Sequence, residues 1–300
     1  MRHVALSLVL VLAGTAFAQD TAAVASRTVE RTLDVDGGRT YRLHLPARGA
    51  TEKERLPLVL VLHGAGGTGA IQEGMSGFDE IADEKHFAAC YPDGRHRLWQ
   101  YTEESPDVTF LVAIVDALVK EGTADSRRVY VCGISNGAYM TNRLLLDHAD
   151  RFAAGGAVAG TLPKLVAKKE KPARAVSFIY FHGTDDRIVG YDGKDFISRH
   201  ALSLPAEDLV SWWVDKDGCA KDPKVDELPR KDEDTSVTRS VYGQGKDGAE
   251  VVFYKVEGGG HTWPGGRMQP RALLGKTTRA VNASRVMWEF FANHVLPEKK

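Results

Sequence analysis

The sequence has little cysteine: Cys90, Cys132 and Cys219 are the only three in 300 residues. Three cysteines allow at most one intramolecular disulfide bond, and their wide spacing matches no metal-ligand pattern. Cys90 and Cys132 each lie in a short apolar run, where a buried thiol is expected. The cysteine pattern therefore predicts neither a disulfide scaffold nor a metal site.

Excess charge and long hydrophobic runs are also missing. The 39 basic and 40 acidic side chains leave a net charge of -1, so no basic surface for nucleic acid is expected. The N-terminal apolar run from Val4 to Ala13 is about half of the roughly 20 residues that span a bilayer. A stable membrane anchor is therefore not expected.

This N-terminal run has instead the layout of a secretory signal peptide. Arg2 and His3 precede the apolar core, and Ala-Phe-Ala at 16–18 supplies the small-x-small pattern of a cleavage site. We expect a signal peptide over residues 1–18 and a secreted or periplasmic protein. Residues 19–300 suit a single α/β domain in length, and no linker or repeat divides them.

Short β-branched and aliphatic runs alternate with helical periodicity along the chain. The strand signals are 41–45, 58–62, 129–132, 176–181 and 251–256. Apolar spacings of three and four predict helices over 110–119, after Ser135, over 209–213 and over 286–291. The alternation predicts an α/β fold with a mostly parallel sheet covered on both faces. The stretches 163–174 and 221–234 lack periodicity and are expected to be surface loops.

The stretch GISNGAYM, residues 133–140, lies between the strand signal VYVC and a helical segment. A strand that turns abruptly into a helix strains the residue at the turn, and Gly133 and Gly137 give the room that this turn needs. Such a turn lifts the Ser135 hydroxyl out of the carboxyl edge of the sheet, at a helix N-terminus. The pattern predicts a nucleophilic serine; the alternative is a serine that only caps the helix.

A serine nucleophile needs a histidine to take its proton and a carboxylate to orient the imidazole. After such a turn, the carboxylate and the histidine follow in that order along the chain. HGTDDRIV follows the strand VSFIYF, and EGGGHTWPGG follows VVFYKV, so Asp185, Asp186 and His261 fall at strand ends. We favour Asp186 because Asp185 suits a turn cap, and Asp192 is the third candidate. The alternative for His261 is a histidine packed in the core.

This chemistry also needs two donors aimed at the developing oxyanion. The N–H of Asn136, next to the predicted nucleophile, is the first candidate. The second is expected in LVLVLHGAGGTG, after an earlier strand, and is assigned to the N–H of Ala65. A tight turn or a phosphate cradle is the alternative for this loop, but the motif G-x-x-x-x-G-K-[ST] is absent.

Together, HGAGGTG, YPDG followed by Trp99, GISNGAYM, HGTDDRIV and EGGGHTWPGG resemble the exported polyhydroxybutyrate depolymerase and feruloyl esterase branch of the α/β-hydrolases. The resemblance implies an α/β-hydrolase fold and a serine esterase, with Ser135 as nucleophile, Asp186 as acid and His261 as base. It also implies that Trp99 and Trp263 lie near the acyl or alcohol pocket, with a purely structural role as the alternative. It implies no metal or organic cofactor.

The sequence departs from this family at its cysteines. Relatives often have a cysteine in the hairpin before the last strand, where it can pair with one like Cys219; here that region reads YGQGKDG. The first loop reads HGAG where many relatives have a cysteine after HG, which leaves a backbone donor unaffected. We therefore expect no intramolecular disulfide.

The expected substrate is a small or oligomeric carboxylic ester of feruloyl, acetyl or hydroxyalkanoate type. Trp99, Trp263 and Tyr101 would offer aromatic surfaces for a feruloyl ring, a sugar or a polyester chain. A serine peptidase of the same fold is one alternative, although such enzymes usually carry a propeller or lid domain. A non-catalytic binding protein is the other, disfavoured by the complete set of serine, aspartate and histidine. The sequence carries no signal for an oligomeric state.

Overall fold

The computed structural model describes residues 25–47, 54–102, 105–194 and 202–298. In these residues, one ten-stranded sheet is accompanied by eight α-helices and two short 3-10 helices. The predicted signal peptide, residues 1–18, lies outside the described residues. In the described part of the chain, every helix is too short or too polar to cross a bilayer.

Six parallel strands form the centre of the sheet, and an antiparallel pair extends it at each side. The spatial order is β1-β2-β4-β3-β5-β6-β7-β10-β9-β8. In chain order, the strands are β1 (Arg27–Leu33), β2 (Arg39–Leu45), β3 (Leu56–Leu62), β4 (Ala88–Pro92), β5 (Ala124–Ile134), β6 (Ala154–Val158), β7 (Ser177–Gly183), β8 (Lys224–Glu227), β9 (Ser236–Tyr242) and β10 (Val251–Glu257).

The helices fill the connections between the strands. They are α1 (Gly69–Ser76), α2 (Phe78–Lys85), α3 (Pro106–Lys120), α4 (Asn136–Asp147), α5 (Lys164–Lys169), α6 (Ala206–Asp217), α7 (Arg271–Leu274) and α8 (Ala283–Phe291). The 3-10 helices are Arg95–Arg97 and Lys246–Gly248.

Strand β3 shows why both faces of the sheet are covered, because all seven of its residues are buried. Leu58, Leu60 and Leu62 belong to a hydrophobic cluster that contains α3, α4 and α6 side chains. Val59 and Val61 belong to a second cluster, with α2 and α8. A continuous aliphatic strand is typical of a parallel sheet buried on both sides. The predicted α/β architecture is confirmed.

All five predicted strands and all four predicted helices are present, but two predicted loops are wrong. The stretch 163–174 contains α5, and the stretch 221–234 contains β8. Helix α5 has only six residues, too few for a periodic signal. Strand β8 is a four-residue edge strand with the sequence KVDE, which has no buried side chain to set an alternating pattern.

Candidate active site

Ser135 occupies the single residue between β5 and α4, with φ 56° and ψ -121°. A non-glycine residue with positive φ is strained and is held there by its surroundings. A Cβ on Gly133 would lie 2.6 Å from the backbone of Gly137, and a Cβ on Gly137 would lie 2.6 Å from the carbonyl oxygen of His63. Both glycines are therefore required for the close packing of this turn against the β3 loop.

Above this turn lies a cavity of about 1340 Å³. Four of the predicted site residues line it: Ala65, Ser135, Asn136 and His261. They come from the ends of three strands, β3, β5 and β10, which meet at the carboxyl edge of the sheet. The fold thus brings residues that are distant in sequence to one cavity.

Asp186 holds His261 from below the cavity. The Nδ1 of His261 lies 2.8 Å from Oδ2 of Asp186, and the Asp186 side chain is fully buried. Its Oδ1 accepts hydrogen bonds from the N–H groups of Ile188 and Val189, both at 2.9 Å. The carboxylate is thereby fixed, and a histidine that donates from Nδ1 leaves Nε2 free to accept a proton.

The other two aspartates of this region are placed differently. Asp185 is exposed on the cavity wall, and its N–H donates to the carbonyl of Gly259. Asp192 pairs with Lys194 at the surface. Of the three candidates, only Asp186 contacts His261 among the described residues.

A second histidine, His182, lies next to Asp186 without competing for its role. Its Nε2 donates to the carbonyl of Val189 at 2.8 Å, and its Nδ1 accepts from the Tyr180 hydroxyl. Burial lowers the pKa of His182 below its ordinary value. The ring is therefore a neutral support for the loop that carries Asp186.

The loop of His261 is held by the end of α7 and the residues directly after it. The N–H of His261 donates to the carbonyl of Leu274, and the N–H of Gly260 donates to the carbonyl of Lys276. A Cβ on Gly260 would lie 2.1 Å from the Leu274 oxygen. The glycine run of EGGGHTW therefore serves the close approach of two backbones beside the histidine.

The two predicted oxyanion donors are free to bind a ligand. Neither the N–H of Ala65 nor that of Asn136 has a hydrogen-bond partner among the described residues. Two bonds hold the Asn136 side chain: its Oδ1 accepts from the N–H of Trp99 at 2.7 Å, and its Nδ2 donates to the Trp99 carbonyl at 3.1 Å. These bonds fix the residue directly after Ser135.

Trp99 also holds the loop of Ala65, through His63. The indole Nε1 donates to the His63 carbonyl at 2.9 Å, and the two rings pack with centroids 4.8 Å apart. The Nε2 of His63 accepts from the N–H of Gly94, so its Nδ1 donates to the carbonyl of Gly64. Burial lowers the pKa of His63, which favours this neutral form. Trp99 thus joins the loops of both predicted oxyanion donors.

Trp99 and Trp263, predicted to lie near the acyl or alcohol pocket, do not form its surface. Both are buried, and neither lines the cavity. Trp263 packs edge-on against Phe78, and its Nε1 donates to Oγ of Ser284, which ties the His261 loop to α8. An indole in a motif loop fits a core position as well as a ligand surface. Here both tryptophans support the site from behind.

The aromatic surface of the cavity consists instead of Tyr101 and Tyr139, whose rings stack at 5.0 Å. Tyr139 lies one helical turn after Ser135, so the i+4 spacing within GISNGAYM is a signal that could have found it. Sequence reasoning missed other residues of the cavity, and three of these are exposed leucines. We call them the rim leucines: Leu165, Leu202 and Leu273 are 70%, 60% and 73% exposed.

The three cysteines are free thiols, and all are buried. Burial raises the pKa of Cys219 to about 11 and raises the pKa of Cys90 and Cys132 further above the ordinary value. In the described ranges, no group of three His, Cys, Asp or Glu side chains is arranged to hold a metal ion.

Comparisons with known proteins agree on one family. A model of the family described as Esterase PHB depolymerase matches residues 39–168. The "Putative esterase NocK" of Nocardia uniformis subsp. tsuyamanensis is 31% identical over 288 residues, which cover 89% of this chain and 83% of the relative. Feruloyl esterase B of Piromyces equi is 26% identical over 73% of this chain and 42% of its own length. The bifunctional acetylxylan esterase/xylanase XynS20E of Neocallimastix patriciarum is 24% identical over 75% of this chain and 31% of its own length.

Two solved structures share the fold. The acetyl xylan esterase from Aspergillus awamori superposes with a TM-score of 0.58 at 15% identity, covering 88% of this chain and 99% of that one. A thermostable esterase gives a TM-score of 0.58 at 16% identity, over 89% of this chain and 63% of the other. At such low identity the likeness concerns the fold alone. It identifies the fold as that of the α/β-hydrolases.

Proposed function

This chain belongs to the esterase PHB depolymerase family and is a carboxylic ester hydrolase, and from that premise we propose that it is a serine esterase. Ser135 is the nucleophile, His261 the general base and Asp186 the acid that orients the imidazole. One observation carries the proposal: Ser135 and His261 line the same cavity, and Nδ1 of His261 lies 2.8 Å from the buried carboxylate of Asp186.

In the first half-reaction, Ser135 attacks the ester carbonyl. His261 takes the serine proton on Nε2, and Asp186 stabilises the imidazolium that results. The negative charge that develops on the carbonyl oxygen is bound by the N–H groups of Ala65 and Asn136, which have no partner among the described residues. His261 then protonates the leaving alcohol, and an acyl-enzyme remains on Ser135.

Water completes the cycle by the same route. His261 removes a proton from a water molecule, which attacks the acyl-enzyme carbonyl. The oxyanion is bound again by Ala65 and Asn136, and the acid leaves as Ser135 regains its proton. This chain of proton transfers needs no group beyond the side chains already named.

The substrate is a small or oligomeric ester of feruloyl, acetyl or hydroxyalkanoate type. Stacked Tyr101 and Tyr139 offer a flat surface for an aromatic or sugar ring, and the rim leucines offer an apolar wall for an aliphatic chain. The names of the relatives, feruloyl esterase and acetylxylan esterase, support the first two types.

One domain over residues 19–300 carries this activity, after export and removal of residues 1–18. The sequence of the N-terminal run supports this part of the proposal. N-terminal sequencing of the protein recovered outside the cytoplasm should begin at Gln19. A first residue of Met1 in that fraction would contradict cleavage.

The activity is tested with a fluorophosphonate probe and a panel of p-nitrophenyl, feruloyl, acetyl and hydroxybutyrate esters. The probe should label the parent protein on the peptide that contains Ser135, and Ser135→Ala should remain unlabelled. At least one ester of the panel should be hydrolysed by the parent. Ester hydrolysis at the parental rate by Ser135→Ala would contradict the proposal.

A further inference from the structure

The cavity wall carries more positive than negative charge. Besides His261, the charged residues among its described lining are the cations Lys164, Arg187, Arg271 and Lys276 and the single carboxylate Asp185. The chain as a whole has a net charge of -1. The cationic wall is therefore a local feature and not a consequence of overall composition.

Two of these cations are already paired. Nη2 of Arg271 lies 2.9 Å from Asp234, and Nζ of Lys276 lies 3.4 Å from the same carboxylate. Lys164 and Arg187 have no ion-pair partner among the described residues. Unpaired cations are ordinary on a protein surface; these two differ from the others because they line the cavity that contains Ser135.

The two unpaired cations come from different segments of the chain. Lys164 is half-buried at the start of α5, where its N–H donates to the carbonyl of Leu202. Arg187 is exposed and directly follows Asp186, on the loop after β7. A concave surface with an excess of one sign of charge and with apolar walls focuses the field and raises the local concentration of ligands of opposite charge.

We infer that the site prefers esters that carry a carboxylate, attracted by the positive charge of Lys164 and Arg187 while the apolar part lies against the rim leucines. This names a substrate class for the proposed serine esterase and rests on that proposal. Half-esters of dicarboxylic acids and oligoesters with a free acid end have this chemistry. A neutral ester of the same size loses the attraction and keeps the apolar contacts.

The test compares pairs of esters that differ in one charge. On the acyl side, mono-p-nitrophenyl glutarate is compared with p-nitrophenyl methyl glutarate. On the alcohol side, 4-carboxyphenyl acetate is compared with 4-carbamoylphenyl acetate. The quantity measured is the ratio of kcat/KM for the charged ester to that for the neutral ester, in the parent and in Lys164→Gln, Arg187→Gln and the double variant. Comparing ratios between proteins removes the intrinsic reactivity of each ester.

Each single substitution should lower the ratio roughly three- to tenfold in at least one arm, and the double variant should lower it further. Raising the salt to 0.5 M should lower the parent's ratio, because exposed charges are screened. Lys168→Gln is the matched control: it removes a cation from the same helix that does not line the cavity, and its ratio should equal the parent's. Ratios that stay at the parent's value in both arms for all three variants would overturn the inference.

The two proposals fail in distinguishable ways. If neither Lys164 nor Arg187 affects the ratio of kcat/KM for charged and neutral esters, the parent still hydrolyses the neutral esters and is still labelled at Ser135. If the parent is not labelled at Ser135, the serine esterase itself is contradicted, whatever the charge preference.

Discussion

The cavity has a floor and a rim, and they are built differently. The floor consists of Ala65, Ser135, Asn136, Asp186 and His261, which backbone turns and hydrogen bonds hold in place. The Asp186 carboxylate, for example, has three hydrogen-bond partners. The rim leucines are 60% to 73% exposed, and each comes from a different segment of the chain.

We therefore expect the floor to govern the rate of the reaction and the rim to govern the choice of substrate. In the proposed mechanism, floor residues must meet within a few tenths of an ångström to transfer protons, so each depends on the others. Under the same proposal, the rim leucines contact substrate through apolar area, which is roughly additive and tolerates small displacements. We therefore expect substitutions in the floor to act as a unit and substitutions in the rim to act independently.

The strongest test of the floor is the double variant Ser135→Ala with His261→Ala. Each single substitution should lower kcat roughly 10⁴- to 10⁶-fold, and the double variant should lose little more, because both remove the same proton transfer. Rates are measured on p-nitrophenyl acetate, with thermal melting to confirm folding. A double variant whose loss is the product of the two single losses would mean that the residues do not act together.

Asp186→Asn should cost roughly 10⁴-fold in kcat. Its Oδ1 can keep the N–H groups of Ile188 and Val189, so its amide nitrogen then faces Nδ1 of His261. The imidazole must accept at Nδ1 and carry its proton on Nε2, where it can no longer take one from Ser135. The neighbouring Asp185→Asn is the matched control and should lose less than about tenfold. A larger loss in Asp185→Asn than in Asp186→Asn would reverse the assignment.

Trp99→Phe tests whether the floor depends on the hydrogen bond that the buried Trp99 indole makes. The substitution keeps a ring and removes the bond from Nε1 to the His63 carbonyl, which holds the loop of Ala65. We expect kcat to fall roughly 10- to 100-fold while KM for a short ester changes less than about threefold. Trp213→Phe is the control, because it removes one buried indole bond, to Asn142, and neither Trp213 nor Asn142 lines the cavity. An equal fall in kcat for both variants would indicate general destabilisation.

The floor was largely predictable from sequence, and the rim was not. Ser135 and His261 lie in glycine-rich motifs, because the backbone at these positions requires glycine. The carboxyl ends of the strands bring such residues to one edge of the sheet. Asp186 could be preferred to Asp185 but not separated from it, because adjacent residues share the same motif. Trp99 and Trp263 were predicted near the pocket but are buried outside its lining, since residue type does not tell which way an indole packs.

The rim has no local signature at all. Leu165, Leu202 and Leu273 lie in segments without periodicity, and they meet only because the sheet brings α5, α7 and the chain before α6 to one edge. The pairing of Pro163 with Ser203, which joins two of these segments, is a long-range contact. Such contacts depend on the whole fold and leave no pattern in a short window.

Acid should weaken the fold around the floor through its two neutral histidines. Burial lowers the pKa of His63 and of His182 below the ordinary 6.5, so the unfolded chain binds more protons than the folded one as the pH falls below 6.5. The free energy of unfolding should therefore fall by up to about 1.4 kcal/mol per pH unit for each histidine in that window. His182→Gln should show a shallower decrease between pH 7.5 and 5.5 in urea unfolding. The exposed rim variant Leu273→Ser should keep the parental slope. Parallel curves of unfolding free energy against pH for all three proteins would contradict the assignment of this pH dependence to His182.

The rim is tested by the smallest expected effects. Leu165→Ser and Leu273→Ser should each lower kcat/KM for p-nitrophenyl octanoate, relative to p-nitrophenyl acetate, roughly two- to fivefold. We expect only the longer chain to reach these side chains, and an exposed leucine buries apolar area when substrate covers it. The double variant should show the product of the two losses, in contrast to the floor. Val225→Ser, an exposed apolar position on the edge strand β8 outside the cavity, should leave the ratio as in the parent. A rim pair whose combined loss falls short of the product would mean that the two leucines act on substrate as one surface, and the division between a cooperative floor and an additive rim would not hold.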